Sequence, residues 1–294
     1  MNSEDGGWTV ENNKSRLRSL IAYEYFNWII NPRMILFVCL LLFITSYVAD
    51  GFNMCSATLN QPLGIFEIFI AVSNSAELCV LIPVVFIILT ADFPRKNANT
   101  LLYVHRMGKY KWFAGQIIII VLEILTYLAS ILISCMIMIN GNAVSGNKWS
   151  EVVTKYAVTF PDDKNAIVTQ LISGRLYNNF TPYKTVLYSF TLLFAMLFFL
   201  AMLKLVFFFI NRSTVGMVVV SVLLICGWTF GMIDMKIKWI FPLSHVIEWQ
   251  HCDLVFKKMV VSMGESYLYF IVLSIVMVLA SLIRLGRFDF ITSK

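Results

Sequence analysis

The chain has 294 residues, of which 59% are hydrophobic and only 14% charged, and its mean hydropathy is +0.77. A soluble domain carries roughly a quarter charged residues, so these values exclude a soluble enzyme and predict an integral membrane protein. The formal net charge of +6 does not indicate nucleic acid binding, because the basic residues are scattered in short connections between apolar runs.

The first 33 residues are polar enough to lie outside the membrane core. They lack an early apolar stretch, so we expect no cleavable signal peptide and a disordered cytoplasmic segment over 1–13. Residues 14–31 place Leu17, Ile21, Tyr25 and other apolar residues on one stripe, which predicts an amphipathic helix in the cytoplasmic interface. An N-terminal extension of the first span is the alternative, although Pro32 argues against it.

Six apolar segments follow, each near the 20 residues that cross about 30 Å of hydrocarbon. The predicted fold is therefore an all-α membrane protein whose residues 32–294 form one six-span domain. Pro83 is expected to kink the second span. The spans cover approximately 34–50, 72–91, 113–139, 184–210, 215–233 and 265–284.

Lysine and arginine predict the orientation of these spans. With both termini in the cytoplasm, the short inner connections collect most of the basic residues, and the outer segment 51–66 contains none. Cytoplasmic connections carry the excess of basic residues in multi-pass proteins. The sequence therefore predicts an N-in, C-in topology.

Two longer segments are predicted on the outer side. The first, 140–183, reads as a polar and aromatic loop, and the second, 234–264, as one or two short helices that dip into the interface. Of six cysteines only Cys55 and Cys252 lie outside the spans, and their pairing stays open. A metal ion near His245, His251 and Cys252 is a minor alternative to ordinary interfacial polarity, so no metal site is predicted.

The most informative inner connection is 91–115, which combines five basic residues with an apolar stripe. A short helix can begin after Pro94 and end at Gly108. A cytoplasmic partner protein can bind such a projecting helix in a groove. A basic loop that lies on the lipid surface and only sets topology is the equally weighted alternative.

Several short motifs occur in a consistent order along the chain. Asn31-Pro32-Arg33 precedes the first span, Asp92-Phe93 and then Asn99-Thr100-Leu101 follow the second, and the segment 239–249 (WIFPLSHVIEW) lies before the last. In this order and spacing the chain resembles the permease subunit of ABC-2 type transporters over nearly its whole length. That family usually has an acidic residue and a glycine or threonine near the close of the second span, which Asp92 and Thr100 match, although no glycine precedes Thr100.

The resemblance implies an elbow helix over 14–31 and a coupling helix within 94–108 that docks on a separate ATPase subunit. It assigns ATPase coupling to Arg95, Asn99, Thr100, Leu101, Tyr103, His105 and Arg106. It assigns elbow-helix contacts to Arg16, Arg18 and Glu24. It also implies a homodimer, or a heterodimer with a similar permease, in the bacterial cytoplasmic membrane.

The chain itself has no phosphate-binding loop. The nearest string runs from Gly141 to Trp149, but its lysine is one place late and no serine or threonine follows it. We therefore expect no enzyme activity and no cofactor on this chain, with ATP and Mg²⁺ bound by the partner. No catalytic motif of a hydrolase or a zinc peptidase is present either.

Ionisable residues within spans are costly and are functional candidates by default. Glu123 in the third span and Lys204 in the fourth are expected to form a structural pair, because lysine can extend its ammonium towards the inner surface. Glu77 and Asp234, together with Glu67, are expected to line an outer mouth. The intramembrane polar candidates are Glu77, Asp92, Glu123 and Lys204.

The leading functional prediction is an ATP-driven exporter subunit for a hydrophobic or amphipathic substrate, such as a drug, an antimicrobial peptide, a lipid or a glycan carrier. The alternative is a self-powered transporter or channel, which would place ionisable groups near the midplane beside broken helices. A membrane enzyme is disfavoured, since no catalytic constellation recurs at one depth.

Overall fold

The computed structural model describes residues 5–95, 98–139, 143–163, 166–233, 235–253, 259–288 and 290, with side chains from residue 16 onwards. Within these ranges the chain is almost entirely helical. The only strands among the described residues are β1 (Leu63–Gly64) and β2 (Ala143–Val144), which pair in parallel. This agrees with the predicted all-α fold.

The described part of the chain contains five helices long and apolar enough to cross a membrane, each with a window of mean hydropathy between 2.1 and 2.6. They match the first, third, fourth, fifth and sixth predicted spans, so the chain is a multi-pass membrane protein. The first is composed of α2 (Met34–Phe43), a π-helical turn (Ile44–Ala49) and α3 (Asp50–Leu59). The others are α7 (Lys109–Ile137), α11 (Pro182–Phe209), α12 (Ser213–Met232) and α14 (Met263–Arg287).

The predicted second span is not one continuous helix. It consists of α4 (Glu67–Asn74) and α5 (Leu81–Leu89), separated by a non-helical break at 75–80. Asn74 and Ser75 cause this break, since the Asn74 side chain bonds to other elements and Ser75 adopts an extended ψ of 129°. Pro83, expected to kink the span, instead occupies the first turn of α5, where a missing N–H costs nothing.

The fourth span, α11, lies at the centre of the bundle. It packs against α4, α7, α12 and α14, and it is the most buried of the five apolar helices. The first span, α12 and α14 expose most of their apolar side chains. Because these exposed faces are hydrophobic over a full span, they are suited to contact with lipid.

The first helix, α1 (Asp5–Ile29), packs along α7 and α6 (Ala98–Met107). It begins at Asp5, well before the residue 14 that the sequence predicted, and it ends just before Pro32. Gly115 of α7 permits a close approach, because a Cβ there would lie 2.9 Å from Leu20 Cδ2. Leu20 and Trp28 are buried, so the apolar stripe of this helix faces protein.

We call the end of the bundle at which α6 lies the α6 end, and the opposite end the far end. The far end carries α8 (Glu151–Thr159), α9 (Ile167–Leu171), α10 (Gly174–Asn179) and α13 (Pro242–Val246). Short 3₁₀ helices at Lys236–Ile240 and Glu248–His251 flank α13. The segment 234–264 thus forms several short helices, and the segment 140–183 is more helical than the predicted loop.

Glu67 holds the far-end connection in place. Its carboxylate accepts hydrogen bonds from Gly64 N at 3.0 Å, from Ser150 N at 2.7 Å and from Ser150 Oγ at 2.7 Å. Ser150 is in turn the N-cap of α8. Because Glu67 is buried in this clamp, it does not line an outer mouth as predicted.

Candidate functional site: a surface helix joined to a buried charge cluster

The helix α6 has one face on the protein and one face in solvent. Thr100 is buried and Tyr103 is half-buried against the core, whereas Leu101 and Leu102 are 44% and 53% exposed. The remaining residues predicted to couple to an ATPase from this helix, Asn99, His105 and Arg106, are also exposed. The helix therefore presents an apolar pair flanked by polar and basic side chains.

Three hydrogen bonds hold α6 against α1 and the preceding connection. Asn99 Nδ2 donates to Tyr23 Oη at 2.9 Å, and Arg16 Nη1 donates to the Arg106 carbonyl at 3.2 Å. Thr100 Oγ1 donates to the Arg95 carbonyl at 2.8 Å. Of the predicted elbow contacts, Arg16 thus touches α6, whereas Arg18 is exposed.

Gly108 alone separates α6 from α7. Its φ of +83° lies in a region that residues with a Cβ rarely adopt, so glycine is required at this sharp turn. Since α7 begins at the next residue, α6 joins the third span without an intervening loop.

Arg95 connects this region to a buried acidic residue of α1. Its Nε lies 3.8 Å from Glu24 Oε2, and the two side chains are only 18% and 7% exposed. Burial raises the pKa of the Glu24 carboxyl above its ordinary value, while the positive charge of Arg95 opposes that shift. Glu24, predicted as an elbow contact, therefore binds the connection that leads into α6.

Glu123 and Lys204 lie beside this pair, but they do not bond to each other. The Lys204 ammonium donates to the Thr90 carbonyl and to Thr90 Oγ1 at the end of the second span. Glu123 faces a small cavity that Glu24 and Arg95 also line. The predicted ion pair between Glu123 and Lys204 is therefore wrong. The lysine instead binds Thr90, which follows the last residue of α5.

Glu24, Arg95, Glu123 and Lys204 together form what we call the buried charge cluster. They come from α1, the connection before α6, α7 and α11. Glu123 Oε2 is buried without a hydrogen-bond partner among the described residues. Buried charges in a poorly solvated site interact strongly, so a small displacement of any of these elements alters the balance of the cluster.

Asp92 makes a separate, more exposed contact at the same end. Arg33 binds it through two bonds, Nη1 to Oδ2 at 2.8 Å and Nη2 to Oδ1 at 3.1 Å. Because both side chains are more than a third exposed, this pair contributes little stability. It ties the start of the first span to the end of the second.

The far end contains a buried polar network that the sequence did not predict. Asn74 Nδ2 donates to Ser189 Oγ at 2.9 Å, Ser189 Oγ donates to Glu248 Oε1 at 2.7 Å, and Glu248 N donates to Asn74 Oδ1 at 2.9 Å. These residues lie on three elements far apart in sequence, so no local pattern could have linked them. The one sequence feature that pointed to this network is the carboxylate of Glu248 within an otherwise aromatic and apolar segment.

The other far-end residues occupy different positions. Glu77 is exposed and lines a cavity there, and its predicted place in an outer mouth stays a prediction, whereas Asp234 lies outside the described residues. Both ring nitrogens of His245 are engaged, by Ser266 Oγ and the Trp239 carbonyl, each at 2.8 Å. Within the described ranges no three metal-ligating side chains are grouped, and Cys55 and Cys252 are free thiols.

The pH dependence of stability tests the burial of Glu24. Its raised pKa means that the folded chain keeps a proton that the unfolded chain releases above pH 4.5. The free energy of unfolding therefore falls as the pH rises from 4.5 towards the raised pKa. Glu24→Gln should flatten this fall in a series of thermal unfolding curves. An unchanged slope in Glu24→Gln would show that Glu24 titrates normally.

The site thus joins an exposed helix to the buried charge cluster through α1 and the Arg95 connection. Comparison of the chain with family models, with curated proteins and with solved structures found no match. Its function must therefore be inferred from this geometry.

Proposed function

We propose that this chain is the permease subunit of an ATP-driven ABC transporter and that it exports a hydrophobic or amphipathic substrate. Two copies, or one copy and a similar permease, would enclose the path in a bacterial cytoplasmic membrane. The broken second span would complete six spans with both termini in the cytoplasm, and α1 would lie in the inner interface. ATP and Mg²⁺ would bind to a separate ATPase, and this chain would hydrolyse no ATP itself.

The observation that carries the proposal is the exposed face of α6. Leu101 and Leu102 are large apolar residues on a short helix outside the five apolar spans, with His105 and Arg106 beside them. A helix with apolar anchors and a polar rim fits a groove on a partner protein. Because α1 braces this helix and Gly108 joins it to α7, the helix is suited to transmit force.

The buried charge cluster supports the same proposal by linking α6 to the spans. A push on α6 would act on Arg95 through Thr100, and Arg95 would act on Glu24. Lys204 binds the end of the second span and belongs to the central helix α11. Closure of an ATPase against α6 would therefore reach the second, third and fourth spans together.

The test is the recruitment and stimulation of an ATPase. Affinity purification of the tagged chain from its native membrane should recover a protein with a Walker A motif, whose ATP hydrolysis rises when the chain is added back in nanodiscs. A Leu101→Asp, Leu102→Asp double variant should lose this recovery and stimulation at least tenfold, since each change places a charge in a desolvated contact, at roughly 1–3 kcal/mol each.

A matched control is Val158→Asp on α8, which alters an 82% exposed apolar residue at the far end. This variant should recover the ATPase as the wild type does. Equal recovery with the α6 double variant would contradict docking on α6. Recovery of no Walker-motif protein under conditions that keep the chain folded would contradict the whole proposal.

A self-powered transporter is the second candidate, favoured by the break at 75–80 and by buried Glu123 and Lys204. Secondary transporters place discontinuous helices and ionisable groups within the membrane. Reconstituted vesicles containing only this chain distinguish the two candidates. Solute or proton flux in the absence of ATP and of a partner would favour the second candidate, whereas flux that requires the ATPase would favour the first.

A further inference from the structure

Several irregular stretches of backbone meet around one cavity at the far end, with a volume of about 800 Å³. Tyr47 reaches it from the π-helical turn of the first span, and residues 75–78 reach it from the break in the second. The ends of α9 and α12 and the 3₁₀ residue Trp249 complete the wall. We call this space the far-end cavity.

The position of these irregular stretches along the apolar helices determines which surroundings their backbone groups need. Tyr47 lies thirteen residues beyond Met34, or about 20 Å along the first span, within a hydrocarbon layer about 30 Å thick. At such a depth, non-helical backbone is tolerated only where protein covers it or where it lines a hydrated cavity. The break at 75–80 lines the far-end cavity beside Tyr47 of an apolar span, so the cavity is suited to hydrate the free backbone groups of the break.

The cavity wall carries a half-buried cation, Arg175, and an exposed carboxylate, Glu77, which form no ion pair with each other in the described part of the chain. The Arg175 guanidinium lies 5.5 Å from the centre of the Trp249 ring, and it forms no ion pair or hydrogen bond with the described residues. Trp249 is itself held, because its Nε1 donates to the Asn74 carbonyl at 2.7 Å. An arginine stacked in this way is pre-organised to bind an anion with its free N–H donors.

Further polar atoms without partners lie directly behind the wall. Both amide atoms of Gln250 and the hydroxyl of Ser244 are buried and lack hydrogen bonds within the described part of the chain. They adjoin Gly231, where a Cβ would lie 3.2 Å from Gln250 Nε2. Opposite them, Tyr47, Leu78 and Met232 offer aromatic and apolar surface. The cavity therefore combines a polar side with an apolar side.

We infer that the far-end cavity is a binding site for an amphipathic molecule with an anionic group, which Arg175 binds while Tyr47, Leu78 and Met232 contact the apolar part. Anionic lipids and soluble amphipathic anions share this chemistry. The site involves neither α6 nor the buried charge cluster, so the inference stands or fails independently of an ATPase partner.

Octyl phosphate is a suitable probe, titrated into the full-length chain in phosphatidylcholine nanodiscs and followed by microscale thermophoresis. Empty nanodiscs correct for partitioning into the lipid. Inorganic phosphate and octyltrimethylammonium are the two comparison ligands, the first without the tail and the second with the opposite charge. We expect the chain to bind octyl phosphate at least tenfold more tightly than either, because both parts of the site are then used.

Arg175→Gln should weaken octyl phosphate binding at least tenfold, the loss expected for a charge-assisted contact, and Arg175→Lys should weaken it less. Lys184→Gln, which removes an exposed cation from the start of α11, should bind as the wild type does. Met232→Trp should also lose binding, because it fills the cavity without altering charge. This variant keeps the test available if Arg175→Gln does not fold.

Nanodiscs that contain phosphatidylglycerol identify the source of the natural ligand. Competition with octyl phosphate would place an anionic lipid in the site, and absence of competition would indicate a soluble amphipathic anion. Equal binding by the wild type and a folded Arg175→Gln variant would overturn the inference. So would equal binding of octyl phosphate and octyltrimethylammonium by the wild type, a comparison that needs no variant.

Discussion

Arg95→Glu should destabilise the chain by roughly 3 kcal/mol, the lower end of the range for a broken buried ion pair. The substitution removes the cation that faces Glu24 and adds a third carboxylate to the buried charge cluster. The lower end applies because the Arg95 side chain is 18% exposed. Thermal unfolding in detergent, followed by intrinsic fluorescence, measures the effect as a fall of several degrees in the midpoint.

Two comparisons separate this effect from a general loss of positive charge. Lys111→Glu changes an exposed cation at the start of α7 and should leave the midpoint within a degree or so of the wild type. The double exchange Glu24→Arg, Arg95→Glu places opposite charges face to face again and should recover part of the loss. If the double variant is no more stable than Arg95→Glu alone, the two residues are not coupled.

Asn74→Ala should have an effect of similar size at the far end, about 3 kcal/mol. It removes the acceptor of the Glu248 N–H and the donor to Ser189 Oγ, both in a buried site. A buried N–H left without a partner costs about 1–3 kcal/mol, and the lost bond to Ser189 adds to this. The 3₁₀ helix at Glu248–His251 should then loosen.

Hydrogen–deuterium exchange resolves where this loosening occurs. Peptides that cover 244–253 should exchange faster in Asn74→Ala than in the wild type, while peptides from α7 should not change. Asn178→Ala, at an exposed site on α10, serves as the matched control. Unchanged exchange at 244–253 would mean that Asn74 does not hold this segment.

The spans were predictable because a run of about 20 apolar residues has few other stable environments. The starts and ends of α7, α11, α12 and α14 lie within a few residues of the predicted limits. The break in the second span was not predictable in the same way. Two polar residues among apolar neighbours change a hydropathy window little, and Asn74 interrupts the helix because partners on α11 and at Glu248 bind its side-chain amide.

In the candidate site too, features set by neighbouring residues were predictable, and features set by contacts between distant segments were not. The short helix after Pro94 follows from a local pattern, with Gly108 as its end, and the structure places it there. The partner of Lys204 depends on how α11 and the end of α5 meet, and sequence spacing along single helices contains no such information. Arg175 was unremarkable in sequence, since only the packing of α10 against the 3₁₀ helix at Glu248–His251 brings it to Trp249.

The π-helical turn at Ile44–Ala49 has a mechanical consequence for the first span. Its wide turn, closed by the bond from Asp50 N to the Thr45 carbonyl, holds one residue more than an α-helical turn of similar rise. Conversion to α geometry would rotate α3 relative to α2 by about 100° and shift it by about 1.5 Å. Because Tyr47 lies within this turn and lines the far-end cavity, the geometry of the turn determines where its ring stands in the cavity wall.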